Sequence, residues 1–252
     1  MNTLRQILSD EQVASYEENG YLVVFGLLME DEIQTFLNHV DQTSPDTAYG
    51  LHGHFQDQQY QYLATHPKIA GIAAQLLQGP PCIVQTMLLD KPAAVGKGIS
   101  LHQDLHYLPN DPQTPDTLMA CWLALTDTDA ENGGLCVVPG SHMGGLRSVH
   151  KGQDTEEHDT FEAEFAMRDR EGREWTQKMF RFEIDDLNPE SIVRLTVPHG
   201  AGVFFNGRTI HGSFGNHSPN RPRRAFAVHY VQEHTHLLRK DVQNTMLVKI
   251  DS

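Results

Sequence analysis

The sequence predicts a mainly β protein of the α+β class, a sandwich or barrel of short strands with helices on its N-terminal side. Two observations support this prediction. Helical patterns occur before Pro81, and short apolar or alternating runs, separated by Gly, Pro, Asn and Asp, follow it. The length of 252 residues fits one domain of this kind, so we expect residues 1–252 to form a single domain.

Three helices and one strand are predicted before Pro81. Ser9-x-x-Gln12 has the spacing of a capping box and opens a helix that Gly20 ends. Residues 21–27 are apolar and predict a strand, and residues 29–40 predict a second helix with acidic residues at its start. Residues 66–78 predict a third helix, because their apolar residues follow the spacing of one helical face.

The second part of the chain predicts a series of strands. The strand-like runs cover residues 83–89, 98–101, 119–125, 135–139, 192–197, 202–206 and 225–231. Residues 150–186 interrupt this series with a strongly charged segment that lacks clear strand periodicity. We interpret this segment as a lid or substrate loop inserted over one end of the sandwich. A surface excursion without function remains the alternative.

Composition excludes several classes of partner. The formal net charge of −14 disfavours binding to nucleic acids or anionic membranes, which requires a basic face. No run of 18 apolar residues is present, so we expect no membrane span, and the first residues show no secretory pattern. Three cysteines without C-x-x-C spacing predict buried thiols rather than a disulfide framework. We expect a cytoplasmic protein, a monomer or a homodimer.

A short motif, His102-Gln103-Asp104, contains two residues that could bind the same metal ion. On a strand, residues i and i+2 face the same side, so His102 and Asp104 would project together and Gln103 would point away. The motif alone is weak, because the chain contains 15 histidines. With His211 it offers two imidazoles and one carboxylate, the ligand set of non-haem Fe(II) oxygenases.

The sequence around His211 strengthens this interpretation. Residues 200–213 predict a turn, a buried strand and a histidine at the far end of the strand. The chain then returns through Arg221-Pro-Arg223-Arg224, which suggests a hairpin-like connection with Arg223 or a neighbour beside His211 on the next strand. An arginine there would suit a carboxylate, which its planar fork binds with two hydrogen bonds.

With these motifs, the chain resembles the phytanoyl-CoA dioxygenase (PhyH) family of Fe(II)/2-oxoglutarate-dependent oxygenases. The resemblance extends over most of the chain, and four stretches carry it: Leu101-His-Gln-Asp-Leu105, Ala120-Cys-Trp-Leu-Ala-Leu125, Glu131-Asn-Gly-Gly-Leu-Cys-Val-Val-Pro-Gly-Ser-His142, and Ile210-His-Gly-Ser213 with the following arginines. It implies a double-stranded β-helix, a cupin-like jelly roll with flanking N-terminal helices. It also implies Fe(II) held by His102, Asp104 and His211, with 2-oxoglutarate as co-substrate and O₂ as oxidant.

The resemblance also implies which residues bind 2-oxoglutarate. An arginine of the Pro-Arg-Arg step would bind its distal carboxylate. We favour Arg223, since Arg224 should face the opposite side of the strand and Arg221 precedes the proline. Gln85 and Ser213 occupy positions where relatives supply hydrogen bonds to the co-substrate. His106 and Tyr107 follow the metal motif and are candidates for lining the substrate entrance.

The implied reaction is hydroxylation of an unactivated C–H bond in a small molecule, with release of succinate and CO₂. Substrates of relatives include acyl-CoA thioesters, amino acids and secondary metabolites. Related halogenases have a small residue at the position of Asp104, so a carboxylate there favours hydroxylation over halogenation. Three alternatives remain: desaturation or ring formation at the same iron, a non-catalytic jelly-roll binding or sensing protein, and a cupin-like Zn or Mn hydrolase or isomerase.

Overall fold

The computed structural model describes residues 6–43, 50–114 and 116–250. The prediction of a chain start without a secretory pattern rests in part on residues 1–5, which lie outside these ranges. The α-helices of the described residues are α1 (Asp10–Asn19), α2 (Glu30–Gln42), α3 (Gly53–Gln56), α4 (Gln58–Ala64) and α5 (Pro67–Leu77).

The helix signals in the sequence are confirmed. The Ser9 hydroxyl accepts a hydrogen bond from the Gln12 backbone N–H, and the Gln12 side chain accepts one from the Ser9 N–H, which completes the capping box. Gly20 ends α1 with a φ of 78°, a conformation that glycine adopts without steric cost. Helix α5 buries its apolar face against the sheet that follows.

The strands lie close to the predicted runs. They are β1 (Tyr21–Val24), β2 (Pro81–Lys91), β3 (Ile99–His102), β4 (Met119–Ala124), β5 (Leu135–Val137), β6 (Val149–Lys151), β7 (Glu162–Arg168), β8 (Glu174–Phe180), β9 (Phe182–Ile184), β10 (Val193–Arg194), β11 (Gly202–Asn206), β12 (His211–Ser213), β13 (Arg223–Gln232) and β14 (Met246–Leu247). The predicted strand at residues 192–197 is shorter than expected, since only Val193–Arg194 pairs as a strand.

Two antiparallel sheets form the jelly roll. In the described residues the larger sheet has the order β1-β11-β4-β13-β2-β14, and the smaller has the order β10-β5-β12-β3. The protein therefore has the double-stranded β-helix architecture that the family resemblance implied. None of the helices in the described ranges is long and apolar enough to cross a membrane.

The larger sheet separates two layers of packing. On β13, Phe226, Val228 and Tyr230 alternate outward into the cluster formed with the helices. Ala225 and Ala227 point inward between the two sheets, where they pack with Trp122 and Phe205. The small side chain of Ala227 lines a cavity between the two sheets.

The expectation that residues 150–186 lack strand structure is wrong. Strand β7 pairs with β8 over seven residue pairs as an antiparallel hairpin, and the antiparallel pair of β6 and β9 encloses this hairpin in the chain. The charged residues of β7 and β8 lie on one face of each strand. The other face carries Ala163, Phe165 and Met167 on β7 and Trp175, Gln177 and Met179 on β8, so the alternation of a half-buried strand is present within the charged segment. The three cysteines are buried free thiols, as predicted.

Candidate metal and co-substrate site

The two halves of the metal motif are brought together by strand pairing. Strand β3 ends at His102, and β12 begins at His211, which is the direct partner of His102 in the antiparallel register. Two imidazoles on neighbouring strands therefore project from the same face of the smaller sheet. Their ring centroids are 4.4 Å apart.

The prediction that His102 and Asp104 share one strand is wrong. The strand stops at His102, and Asp104 opens a short 3-10 helix, Asp104–His106. Gln103 is anchored at this turn: its buried amide donates to the Gly145 and Arg208 carbonyls, at 2.9 and 2.6 Å, and its oxygen accepts from the Arg147 N–H. Asp104 still reaches the two histidines, because the chain turns over them instead of continuing along the sheet.

The three side chains have the geometry of a metal site. Asp104 Oδ1 lies 3.5 Å from His102 Nε2 and 3.6 Å from His211 Nε2, and the three ligand atoms all lie within 4.8 Å of one another. His102 Nδ1 contacts the Ser100 carbonyl at 2.8 Å and His211 Nδ1 contacts the Thr209 carbonyl at 3.0 Å. A carbonyl only accepts, so each Nδ1 carries the proton and each Nε2 presents its lone pair.

The protonation states also suit a cation. Burial alone would raise the pKa of Asp104, but the neighbouring His211 and His229 imidazoles, with a hydrogen bond from His229, hold its pKa well below the usual range. Burial lowers the pKa of His211 to about 4. A carboxylate that stays ionised and a histidine that stays neutral are the forms that bind Fe(II). The residues therefore fit the metal.

A fourth side chain, His229, supports the carboxylate and was missed in the sequence. His229 Nε2 lies 3.1 Å from Asp104 Oδ2, the oxygen that the metal group leaves free. On its other side, His229 Nδ1 lies 3.3 Å from the Gln85 amide nitrogen, which can only donate. His229 Nε2 therefore carries the proton and donates it to Asp104. The sequence does contain a signal for His229, because alternation along the strand places it on the same face as Arg223.

Arg223 is the arginine of the Pro-Arg-Arg step that faces the cavity. Arg223 is 2% exposed and lines the same cavity as the metal group, and its guanidinium lies 5.8 Å from the Trp122 ring. Burial lowers its pKa to about 10. Arg224 points away and pairs with Asp41 and Asp90, whereas Arg221 pairs with Asp129 and Glu131.

The predicted position of Arg223 next to His211 on a neighbouring strand is wrong. Strand β12 pairs with β3 and β5, whereas β13 pairs with β2 and β4. The connection crosses from the smaller sheet to the larger one, so Arg223 reaches the cavity from the opposite wall. The error arose because a loop of turn residues is compatible with either a hairpin or a crossing between sheets.

The remaining predicted site residues differ in their positions and contacts. Ser213 lines the cavity with Arg223. Gln85 is 6% exposed, and its contacts are to His229 and Met87. The Tyr107 ring packs edge-on to His102 with centroids 5.2 Å apart, and the His106 ring lies 5.4 Å from that of Phe182. Phe182 belongs to β9, so residues 150–186 contact both predicted substrate-entrance residues.

Sequence comparison gives a family match for this fold and site. The model of the phytanoyl-CoA dioxygenase (PhyH) family matches residues 16–225. The peroxisomal phytanoyl-CoA dioxygenase of Rattus norvegicus is 31% identical over 253 residues, which span 89% of this chain and 68% of that protein. The ectoine dioxygenase of Stutzerimonas stutzeri is 28% identical over 245 residues, which span 88% of this chain and 76% of that protein.

Solved structures share the fold at low sequence identity. The non-haem alpha-ketoglutarate-dependent carbocyclase SnoK has a TM-score of 0.69 at 23% identity, over 92% of this chain and 88% of that one. EvdO2 from Micromonospora carbonacea, complexed with 2-oxoglutarate, has a TM-score of 0.67 at 18% identity over the whole of both chains. EctD from S. alaskensis, with 2-oxoglutarate and 5-hydroxyectoine, has a TM-score of 0.63 at 21% identity, over 89% and 76%.

Proposed function

Because the chain belongs to the phytanoyl-CoA dioxygenase family, we propose that it hydroxylates an unactivated C–H bond of a small molecule. It is an Fe(II)- and 2-oxoglutarate-dependent dioxygenase. In the proposed reaction one atom of O₂ enters the substrate as hydroxyl. The other enters succinate as 2-oxoglutarate loses CO₂. The proposal rests on one observation: the metal group and the buried Arg223 line a single cavity.

The chain's residues would divide the work in the following way. His102, Asp104 and His211 would hold Fe(II), which supplies the site where O₂ is activated. We propose that Arg223 and Ser213 bind the distal carboxylate of 2-oxoglutarate, since both line the cavity and a guanidinium binds a carboxylate with two hydrogen bonds. Trp122, Leu135 and Phe205 line the cavity with apolar surface and exclude water.

Gln85 is proposed as a further hydrogen-bonding residue at the co-substrate site. Its buried amide lies beside His229, the partner of the metal ligand Asp104, and its Oε1 has no hydrogen-bond partner among the described residues. An amide with an unsatisfied end has a reason to rearrange when a ligand arrives. The carboxylate of Asp104 supports hydroxylation over halogenation, because it occupies the position that halogenases leave open.

The substrate entrance is proposed to lie beside His106 and Tyr107, under residues 150–186 as a lid. The Phe182 N–H donates to the Tyr107 hydroxyl at 2.8 Å, so the segment is tied directly to this position. Phe182→Ala removes the ring that packs against His106 and Tyr107. It is expected to lower the product formed per succinate while 2-oxoglutarate affinity stays unchanged. Equal coupling of product to succinate in this variant would argue against the lid.

Turnover in the absence of a known substrate tests the function. Protein purified without oxygen is given Fe(II), 2-oxoglutarate and ascorbate, air is admitted, and succinate is measured. Small-molecule classes named for the relatives are then added, and products are analysed by mass. Gain of one oxygen atom supports hydroxylation, whereas loss of two hydrogens indicates desaturation or ring closure. Iron-loaded protein that forms no succinate with any of these compounds would contradict the proposal.

We also propose that the protein is a monomer or homodimer in the cytoplasm, without nucleic-acid or membrane partners. The net charge of −14 supports the absence of polyanionic partners. Light scattering of the purified chain measures its oligomeric state. A native mass above that of a dimer would overturn this part of the proposal.

A further inference from the structure

A second buried cation, Lys91, lies next to Arg223. The two residues are direct partners in the antiparallel register of β2 and β13, so their side chains share the inward face. Lys91 is 4% exposed and Arg223 is 2% exposed. Neither takes part in any ion pair between described residues. Positive charge on these side chains is costly without a counter-charge, so an anion that binds at this end of the interior stabilises their charged forms.

The Lys91 ammonium has three hydrogen-bond acceptors around it. Its Nζ lies 2.6 Å from the Phe214 carbonyl, 2.8 Å from Ser213 Oγ and 3.2 Å from the Gly133 carbonyl. An ammonium has three donors, and these three acceptors use all of them. The Gly133 carbonyl also accepts from Arg223 Nε at 3.2 Å, so one turn of the chain holds both cations.

These contacts determine what the Ser213 hydroxyl can do. Ser213 Oγ accepts from Lys91 Nζ and from the Ile99 N–H, at 2.8 and 3.3 Å, which fills both lone pairs. While Lys91 is an ammonium, the single proton of Ser213 must then be donated elsewhere, and no other acceptor for it lies among the described residues. Because Ser213 lines the cavity together with Arg223, the proton is available to an anion bound there.

We propose that Lys91 is a positioning residue for the co-substrate: its ammonium fixes the Ser213 hydroxyl as a donor to the distal carboxylate of 2-oxoglutarate beside Arg223. This inference rests on the proposed function, which supplies the identity of the anion. Lys91 itself does not need to touch the ligand, since its three donors are already used. Its contribution is to prevent the hydroxyl from accepting and to add positive charge.

The charge of Lys91 depends on the ligand. Burial and the Arg223 guanidinium lower the pKa of Lys91 to about 6, against the weaker opposing effects of Cys136, Asp159 and Glu157. These three, Arg223 and His158 are the titratable and charged groups that face it. At neutral pH the free protein therefore holds mainly a neutral amine. Its two N–H groups serve the two carbonyls, and its lone pair accepts the Ser213 proton.

A bound carboxylate reverses this arrangement. Negative charge beside Lys91 raises its pKa, so Lys91 takes up a proton, donates to Ser213 and frees the hydroxyl proton for the ligand. Binding of 2-oxoglutarate should therefore take up close to one proton at neutral pH. Above pH 6 the affinity should fall by up to about tenfold per pH unit until the raised pKa of the complex is passed.

The experiment measures binding without turnover. Calorimetry at neutral pH follows 2-oxoglutarate binding to protein loaded with Ni(II) without oxygen, for the wild type, Lys91→Met, Ser213→Ala and the double variant. Lys97→Met is the matched control, since Lys97 is exposed and pairs with Asp154. Repeating the wild-type titration in buffers of different ionisation enthalpy gives the number of protons taken up, which is independent of how the variants fold.

We expect Lys91→Met to weaken 2-oxoglutarate binding on the order of ten- to a hundredfold, the range for a hydrogen bond to a charged group. In the Ser213→Ala background the same change should have little further effect, and Ni(II) affinity and the Lys97→Met variant should match the wild type. Wild-type binding without proton uptake would overturn the inference, and so would an undiminished Lys91→Met effect in the Ser213→Ala background. Metal-loaded wild type that does not bind 2-oxoglutarate would overturn the proposed function as well.

Discussion

Single residues at this site have separable roles, because each contacts a different part of it. Asp104 contacts both histidines, Arg223 lies on the opposite wall of the cavity, and His229 contacts the Asp104 carboxylate. Substitutions at these positions should therefore affect metal affinity or co-substrate affinity independently. This separation makes the assignments testable one residue at a time.

Asp104→Ala should abolish hydroxylation and strongly weaken metal binding. The substitution removes the one anionic ligand and leaves two neutral imidazoles, which hold a divalent cation less tightly. Metal content after dialysis and succinate formation are the measurements. Full activity in this variant would remove Asp104 from the ligand set.

Arg223→Ala should raise the Michaelis constant for 2-oxoglutarate by well over tenfold. Truncating one partner of a buried charged pair costs ~2–5 kcal/mol, and about 1.4 kcal/mol corresponds to tenfold. Arg224→Ala is the matched control, because Arg224 pairs with Asp41 and Asp90 outside the cavity. The opposite pattern in the two variants would show that the wrong arginine had been assigned.

His229→Ala should weaken metal binding by ~10–100-fold, the usual effect of removing a partner that orients a metal ligand. The substitution leaves Asp104 Oδ2 without its donor while all three metal ligands remain. His199→Ala serves as the control, since His199 is exposed and pairs with Asp127 and Glu30. Unchanged metal affinity in His229→Ala would assign His229 to packing alone.

At the level of secondary structure, sequence patterns correctly located the helices and strands that depend on residues close together in the chain. The capping box and the apolar periodicity placed α1 and α5, and six predicted strands match observed ones within two residues at each end. The β7–β8 hairpin within residues 150–186 was missed although one face of each strand is apolar, because the charged residues on the other face and in the connecting turn dominate the composition of the segment.

Ser9→Ala should destabilise the protein by about 1 kcal/mol, the typical cost of losing an N-cap. The variant loses the hydroxyl that accepts from the Gln12 N–H and so breaks the capping box of α1. Ser9→Asp keeps an acceptor at the position and should retain most of the stability. Chemical denaturation gives the free energy of unfolding, and equal loss in both variants would contradict the cap assignment.

At the scale of the whole molecule, buried neutral histidines couple folding to pH. Burial, with a smaller effect of His52, lowers the pKa of His54 to about 4. His54 is 1% exposed, and its Nε2 has no hydrogen-bond partner among the described residues. The unfolded chain binds a proton at His54 below about pH 6.5, whereas the folded protein does not until about pH 4. The folded protein therefore loses stability relative to the unfolded chain as pH falls through this window.

His54→Gln should flatten the fall in stability between pH 6.5 and pH 4, because glutamine does not titrate. Thermal melts of the metal-free protein and the variant across this range provide the measurement. His199→Gln removes an exposed histidine and should keep the wild-type slope in the same window. Parallel curves for His54→Gln and the wild type would exclude His54 as a source of acid instability.

The sequence by itself determined the mainly β class, the metal ligands to test and the choice of Arg223 among three arginines, because periodicity and spacing are local properties. Only the tertiary structure decided that Asp104 leaves the strand and that Arg223 reaches the cavity from the opposite sheet. It also brought His229 and Lys91, residues without a motif of their own, to Asp104 and Ser213. These contacts join strands far apart in the chain, and such pairing depends on how the sheets fold together rather than on any local pattern.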